Sequence, residues 1–127
     1  MQVRIMLIDD SPLIARIIKS HLGVQGYLVE VVSSSLGALN RIVEFSPHVL
    51  LVDLGLPGLR GDRIIARLRE MGVFINPRII IISAEDEAGL QKLVAEGVAH
   101  DYFSKGKPIT ELQEKIAAQL KLAGRST

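Results

Sequence analysis

The stretch VLLVDLGLPGLRG, residues 49–61, indicates the fold of this chain. Its first four residues are apolar, Asp53 follows them, and a loop with three glycines comes next. A short run without polar residues is typical of a central strand that is buried on both faces of a parallel sheet. Four other short apolar runs occur, and the first and fourth of the five are almost wholly apolar. They lie at residues 3–8, 27–32, 79–82 and 102–103.

Segments whose apolar residues recur at helical spacing separate and follow these runs. Ser11 and Pro12 introduce the first segment, because a serine side chain can cap free helix amides and proline is tolerated at the first helical position. Gly72 and Gly97 are placed to end the third and fourth segments. The apolar stripes are Leu13, Ile14, Ile17, Ile18 and Leu22; Leu36, Leu39, Ile42 and Val43; Ile64, Ile65, Leu68 and Met71; Leu90, Leu93 and Val94; and Ile109, Leu112, Ile116 and Leu120.

This alternation predicts one doubly wound α/β domain, in which helices cover both faces of a five-stranded parallel sheet. Glu30 interrupts the second apolar run and the fifth run is short, so both are predicted to be edge strands. We expect the domain to span residues 1–123. The polar tail, residues 124–127, is expected to be frayed.

Composition excludes several classes of function. Lys and Arg total 15 against 14 Asp and Glu. Because the chain carries almost no net positive charge, direct binding of nucleic acid is not expected. The absence of cysteine excludes disulfides and thiol chemistry, and it is compatible with a reducing cytoplasm. No apolar run approaches the roughly 20 residues that a membrane span needs. We therefore expect a cytoplasmic protein.

Chemically active side chains follow four of the five predicted strands. Asp9 and Asp10 follow the first strand, Asp53 the third, Ser83 the fourth and Lys105 the fifth. Because ligands of open parallel sheets bind at the carboxyl ends of the strands, we expect these groups to share one crevice. Clustered carboxylates raise one another's pKa unless a cation lies among them, and an all-oxygen ligand set suits Mg²⁺. The sequence therefore predicts a magnesium site.

Each of these residues taken alone has an ordinary structural interpretation. The acidic pair could begin a loop and cap the first helix, and Asp53 could be a turn residue. Because these residues follow four strands whose ends lie at one edge of the sheet, a shared site is favoured. The three histidines, His21, His48 and His100, have no metal-ligand spacing and lie near none of those ends. We expect them at the surface, without a role.

On these residues the chain resembles the receiver domains of two-component response regulators, the CheY-like domains, over nearly its whole length. Asp53, Pro57 and Gly61 match the family pattern D-x-x-x-P-x-x-x-G, after an acidic pair at the end of the first strand. The resemblance implies a flavodoxin-like (βα)5 fold with strand order 2-1-3-4-5. The remaining matches are Ser83, the adjacent Ala84, and Lys105.

The resemblance also implies a role for each site residue. Asp53 would accept a phosphoryl group from a phosphohistidine of a sensor histidine kinase or a histidine phosphotransfer protein. Phosphoryl transfer needs positioning and charge neutralisation, which a metal ion and a lysine can supply. Magnesium would be bound by Asp10, Asp53 and the carbonyl of Gly55, with Asp9 holding it mainly through water. The phosphoryl group would be contacted by Lys105, the Ser83 hydroxyl and the backbone amides of Leu54 and Ala84.

The family resemblance further implies how phosphorylation is read by partners. Ser83 and Tyr102 would switch the face formed by the fourth helix, fifth strand and fifth helix. An effector protein, an output domain beyond this sequence, or a second copy in a phosphorylation-linked dimer would contact that face. Exposed groups there are predicted to be Gln91, Lys92, Glu111 and Lys115.

The functional lysine departs from the family pattern, in which proline usually follows the lysine directly. Here residues 105–108 read KGKP, so Lys105 and Lys107 are both candidates. Lys105 is preferred because it follows the fifth strand immediately and leaves Tyr102 three residues upstream. A cis peptide bond after Lys105 is not expected, because cis bonds are essentially confined to proline.

Ser83 replaces the threonine that is commoner in the family. Two other positions, Gly55 and Glu85, bear on the lifetime of the phosphorylated state, and Gly55 is unusually small for its place. Gly55 cannot shield the phosphorus with a side chain, while Glu85 could orient an attacking water. We expect a short-lived aspartyl phosphate.

Three other functions are compatible with parts of this pattern. A flavin-binding domain shares the architecture, but its phosphate loop needs Gly, Ser and Thr where this chain has two acidic residues. A phosphatase of the haloacid dehalogenase type needs a second Asp as general acid two residues after the first, where Gly55 stands. A non-phosphorylated, receiver-like protein-interaction domain is the third, and the intact acidic set argues against it.

Overall fold

The computed structural model of the protein describes residues 2–72 and 76–125. Within these ranges, strands and helices alternate along the chain, as the sequence predicted. The ends of the third and fourth strands reach one residue further than the apolar runs, so Asp53 and Ser83 are themselves strand residues. The elements are β1 (Arg4–Ile8), α1 (Pro12–Val24), β2 (Leu28–Val32), α2 (Ala38–Phe45), β3 (Val49–Asp53), α3 (Gly61–Glu70), β4 (Arg78–Ser83), α4 (Glu87–Ala95), β5 (Asp101–Ser104) and α5 (Ile109–Leu122).

The five strands form one parallel sheet in the order β2-β1-β3-β4-β5. The predicted flavodoxin-like fold and both edge strands are therefore confirmed. All residues of β3 are buried, because helices cover the sheet on each side. One face packs against α2, α3 and α4 through residues such as Ile42 and Ile64, and the other against α1 and α5 through Leu22 and Ile116.

The beginnings of the first two helices illustrate a correct and an incorrect prediction. The Ser11 hydroxyl accepts a hydrogen bond from the Ile14 amide, and Pro12 is the first residue of α1, as expected. Leu36 was predicted to belong to the stripe of α2, but it precedes that helix and is 89% exposed. Gly37 adopts a φ of 74°, which interrupts the helical backbone between them.

Position 61, the first residue of α3, requires a glycine for steric reasons. A Cβ atom at Gly61 would lie 2.3 Å from the carbonyl oxygen of Asp53 and 2.6 Å from Cγ1 of Val52. Both contacts are far inside van der Waals separation, so a side chain there would push α3 away from β3. The close approach of α3 thus depends on the last glycine of the opening sequence stretch.

Two of the three histidines are placed differently from the prediction. His21 is exposed on α1, but His48 and His100 are only partly exposed and lie at the amino-terminal edge of the sheet. Their Nδ1 atoms accept hydrogen bonds from the amides of Arg4 and Ile79, each at 2.9 Å. The two rings satisfy backbone donors at the starts of β1 and β4. Burial lowers the pKa of both rings, and nearby arginines lower it further.

The chain beyond α5 forms a turn at residues 124–125. The Arg125 amide donates a 2.8 Å hydrogen bond to the Leu120 carbonyl, and Gly124 has a φ of 80°. A hydrogen-bonded turn therefore follows the helix. The fraying of the tail, residues 124–127, stays a prediction. Residues 126–127 lie outside the described part. Among the described helices, none combines the length and apolar character needed to cross a membrane.

Candidate acidic site

Three carboxylates meet at the carboxyl edge of the sheet. Asp9 and Asp10 directly follow β1, and Asp53 is the last residue of β3, the neighbouring strand. One oxygen from each lies within 4.8 Å of the others. Asp9 and Asp53 are only 1% and 4% exposed, whereas Asp10 is open to solvent. The structure thus brings together the carboxylates that the sequence assigned to one crevice.

Lys105 reaches into this cluster from the loop after β5. Its Nζ lies 3.1 Å from Oδ2 of Asp53, to which it donates a hydrogen bond, and 3.1 Å from Oδ2 of Asp9. Lys107 instead contacts Glu87 at 4.0 Å on the exposed surface. Of the two candidate lysines, Lys105 is the one beside the carboxylates. The described peptide bonds are all trans, so no cis bond follows Lys105.

The electrostatics of the cluster are those of an anionic site short of positive charge. Burial raises the pKa of Asp9, and the charge of Asp53 adds to this effect. The Ser11 amide and Lys105 oppose it without cancelling it. Burial alone would lower the pKa of Lys105, but its contacts with Asp53 and Asp9 outweigh burial and raise it. The lysine is therefore held as a cation.

One buried carboxylate oxygen of the cluster, Oδ2 of Asp9, lacks a hydrogen-bond donor among the described residues. Oδ2 of Asp9 is buried and receives no well-aligned hydrogen bond, since its contact with Lys105 lacks hydrogen-bond geometry. A buried anionic oxygen that receives no hydrogen bond, beside two further carboxylates, favours binding of a small hard cation or of a water coordinated to it. Asp10, being exposed, leaves room for the waters that magnesium retains. These residues fit a magnesium ion.

The backbone amides after Asp53 are already hydrogen-bonded in this structure, and the predicted phosphoryl contact of Leu54 stays a prediction. The Leu54 amide, expected to face a phosphoryl group, donates a 3.0 Å hydrogen bond to the Ile82 carbonyl. It is already engaged because the hydrogen bonding between β3 and β4 continues one residue beyond Asp53. The Gly55 amide donates a 3.0 Å hydrogen bond to Oδ1 of Asp53. Sequence reasoning had assigned Gly55 only a carbonyl ligand.

The loop after β4 presents Ser83 and Ala84. Ser83 is 2% exposed, and its Oγ accepts a 2.9 Å hydrogen bond from the Glu85 amide. Since this bond uses a lone pair, the hydroxyl proton remains free to donate. Ala84 is exposed at the same edge. The Ser83 hydroxyl and the exposed Ala84 therefore lie together at the carboxyl end of β4, the strand next to β3.

Arg60 is a residue of this region that the sequence analysis missed. Its guanidinium lies 3.2 Å from the carboxylate of Glu85 and 3.2 Å from that of Asp62. These contacts raise the pKa of Arg60, that with Asp62 most strongly. The pair with Glu85 joins the β3–α3 loop to the β4–α4 loop. In the sequence, only the position of Arg60 directly before Gly61 could have indicated that this residue lies near the site.

Tyr102 on β5 is partly buried and packs against the core that includes α4. Its hydroxyl accepts a 3.3 Å hydrogen bond from Gln91 of α4. From α5, Nζ of Lys115 lies 4.3 Å from the ring centroid and 3.3 Å from Asp101. The tyrosine thus connects the fourth and fifth helices across the edge strand.

The model of the response regulator receiver domain family matches residues 5–117 of this chain. The chain belongs to that family. Among receivers of known structure, it is similar to the receiver domain of the Francisella response regulator 1452, with a TM-score of 0.86 and 26% identity over 96% of this chain and 99% of that one. The BeF3-activated N-terminal receiver domain of Klebsiella pneumoniae RstA has a TM-score of 0.82 and 26% identity, covering 92% and 97%.

The sequence of this chain is also similar to those of curated response regulators. The transcriptional regulatory protein KdpE of Mycobacterium tuberculosis is 30% identical over 92% of this chain and 50% of its own length. The two-component response regulator PhoP of Pseudomonas aeruginosa is 29% identical over 94% of this chain and 52% of its own. This receiver thus spans about half the length of these relatives. Two-component response regulators receive signals from histidine kinases and act through effector output domains.

Proposed function

We propose that this receiver accepts a phosphoryl group on Asp53 and thereby switches a partner-binding surface. The observation that carries the proposal is the position of the Lys105 ammonium, 3.1 Å from both Asp53 and Asp9, within a cluster of three carboxylates. Lys105 contacts both Asp53 and Asp9, and Asp10 completes the acidic cluster at the carboxyl edge of a parallel sheet. That arrangement suits an acceptor whose product is a dianion.

The chain's own groups account for the transfer step. A carboxylate oxygen of Asp53 attacks the phosphorus of a phosphohistidine, the P–N bond breaks, and its electron pair returns to the imidazole nitrogen. Lys105 balances the charge on the equatorial oxygens, the Ser83 hydroxyl donates to one of them, and the Ala84 amide is placed for another. Magnesium, when bound by Asp10, Asp53 and the Gly55 carbonyl, with Asp9 acting through water, supplies further charge neutralisation.

The same residues also support the reverse process, attack of water on the aspartyl phosphate. We therefore propose a signalling phosphoacceptor that assists its own phosphorylation and dephosphorylation. The donor would be a sensor histidine kinase or a histidine phosphotransfer protein. A domain boundary at residue 123 and a cytoplasmic location stay predictions.

Phosphorylation would be read at the face of α4, β5 and α5. Tyr102 contacts Gln91 of α4 and Lys115 of α5, so a change in its position would reach both helices. A Ser83 hydroxyl drawn toward a phosphoryl group would release the Glu85 amide and vacate space beside β5. An effector, an output domain or a second copy would then bind this face.

Phosphotransfer from a labelled small phosphodonor tests this function against the non-phosphorylated interaction domain. With Mg²⁺ present, the protein should acquire label that mild base removes, as expected of an acyl phosphate but not of a serine or threonine ester. Excess chelator should prevent labelling. A chain that acquires no label with any donor, yet binds a partner, would support the interaction domain instead.

A further inference from the structure

A basic pocket lies at the amino-terminal edge of the sheet, the edge opposite Asp53. Three arginines from distant parts of the chain line it, together with His48 and Asn76, in an open volume of about 430 Å³. Arg4 begins β1, Arg78 begins β4 and Arg125 follows α5. Because strand residues rise roughly 3.3 Å each, the pocket lies about 16 Å from the acidic site at the other end of β1.

Two of the three guanidinium groups are held in place by neutral acceptors. Arg4 donates to the carbonyls of Phe45 and Ser46 at the end of α2, at 2.8 to 3.0 Å. Nε of Arg78 donates a 2.9 Å hydrogen bond to Oε1 of Gln119, a buried residue of α5. These acceptors fix the side chains without cancelling their charge. Among the described contacts, both Nη atoms of Arg78 and Nη1 of Arg4 are left to donate.

No acidic side chain balances this charge within the described residues. The residues that line the pocket include no Asp or Glu, and none of its three arginines forms an ion pair in the described part of the chain. Elsewhere on the surface, Arg41 and Arg60 are each paired with a carboxylate, whereas the described ion pairs include none of Arg16, Arg63, Arg67 and Arg69. What distinguishes the pocket is therefore that three such side chains line one concavity. A concave site with several fixed, uncompensated cations attracts anions.

His48 adds a directional donor to the pocket. Since its Nδ1 accepts the Arg4 amide, the proton of the neutral ring resides on Nε2. Burial and the charges of Arg125 and Arg4 lower the pKa of this ring. A bound anion would oppose those charges and raise it again, so the imidazole can report occupancy.

We propose that this pocket binds a small polyphosphate anion, such as the diphosphate group of a nucleotide. A planar guanidinium can donate two parallel hydrogen bonds to phosphate oxygens, and three arginines line this pocket. A purely structural role accounts for Arg4, which stabilises the end of α2, and for Arg78, which anchors α5. It accounts neither for Arg125 nor for the absence of carboxylates among the lining residues.

Inorganic pyrophosphate, added to the protein in chelator without magnesium, is the probe. Amide and histidine side-chain spectra should change at Arg4, His48 and Arg78, and the pKa of His48 should rise. Arg125→Gln should weaken binding about tenfold, the size expected for one lost charge-assisted interaction. Its side chain makes no described structural hydrogen bond, so the variant should fold. Arg67→Gln, an exposed residue of α3, is the control with the same loss of charge.

Several results would overturn the proposal. Pyrophosphate could leave the spectra unchanged at millimolar concentration, or could perturb Lys105 and its neighbours instead of the basic pocket. Equal weakening by Arg67→Gln would show a nonspecific charge effect. Binding of citrate as tight as that of pyrophosphate would exclude selectivity for phosphate.

Discussion

The guanidinium of Arg60 lies 3.2 Å from the carboxylate of Glu85, and this ion pair links the loops that follow β3 and β4. A carboxylate engaged by a guanidinium is a weaker acceptor for a water that attacks Asp53 phosphate. We therefore expect Arg60→Gln to free Glu85 and to shorten the phosphoryl lifetime a few-fold. Decay of labelled protein after donor removal measures this, with Mg²⁺ constant.

A double-variant comparison isolates the contribution of the pair. In a Glu85→Gln background, Arg60→Gln should leave the decay rate unchanged, because there is no carboxylate to release. If Arg60→Gln alters the rate equally in both backgrounds, Arg60 acts through something other than Glu85.

Gly55 should determine how far water can approach the phosphoryl group. A Cβ atom at Gly55 would lie 3.6 Å from Oδ1 of Asp53, an ordinary van der Waals contact, so a longer side chain could cover the acceptor without strain. Gly55→Met is expected to slow dephosphorylation several-fold. Gly106→Met serves as control, because a Cβ atom at Gly106 would have no neighbouring atom within 4 Å. An unchanged decay rate in Gly55→Met would remove the idea.

The convergence of the site was predictable because parallel strands end at a common edge. Asp9, Asp53, Ser83 and Lys105 each follow or end a strand, and strand order then fixes their proximity. The choice of Lys105 over Lys107 was also readable, since only the first lysine directly follows β5. These predictions depend on the topology of the backbone and not on side-chain conformations.

Other features depend on geometry that apolar spacing does not encode. The Leu54 amide donates to the Ile82 carbonyl because the pairing of β3 with β4 extends one residue beyond Asp53. How far two strands pair cannot be read from the sequence of one of them. Arg60 reaches Glu85 through a long side chain with many rotamers. His48 and His100 accept hydrogen bonds from backbone amides of neighbouring strands, so their partners depend on how the strands are paired.

The raised pKa of Asp9 predicts how stability depends on pH. Burial lifts this pKa above its ordinary value of 3.8 in the folded protein, so the folded state binds the proton more tightly than the unfolded state. Stability should therefore fall as pH rises from about 3.8 through the raised pKa. Without metal, Asp9→Asn should increase the free energy of unfolding at pH 7, and this gain should shrink towards pH 4.

Urea denaturation of both proteins across this pH range provides the measurement. Magnesium should stabilise the parent more than Asp9→Asn, because the ion offsets the buried charge. If the variant is equally destabilised at all pH values, the Asp9 carboxylate contributes through hydrogen bonding to Ser11 rather than through unfavourable burial.

The switch predicts a spectral change far from Asp53. A beryllium fluoride phosphoryl mimic should shift the amides of Tyr102 and α4, since Ser83 would leave the Glu85 amide for the new anion. A shift from 1:99 to 99:1 needs about 5.5 kcal/mol, of which charge-assisted bonds from Ser83 and Lys105 could supply a good part. Ser83→Ala should reduce the distant changes and preserve those near Asp53. Changes confined to the loops around Asp53 in the parent would show that this receiver signals elsewhere.

The location of the phosphoryl group tests the central claim most directly. The protein is phosphorylated with Mg²⁺ and a small donor, the acyl phosphate is trapped by borohydride reduction, and the modified residue is identified by peptide mass spectrometry. The account predicts modification of Asp53, none in Asp53→Asn, and none in excess chelator. Modification at another residue, or labelling of Asp53→Asn as strong as that of the parent, would contradict it.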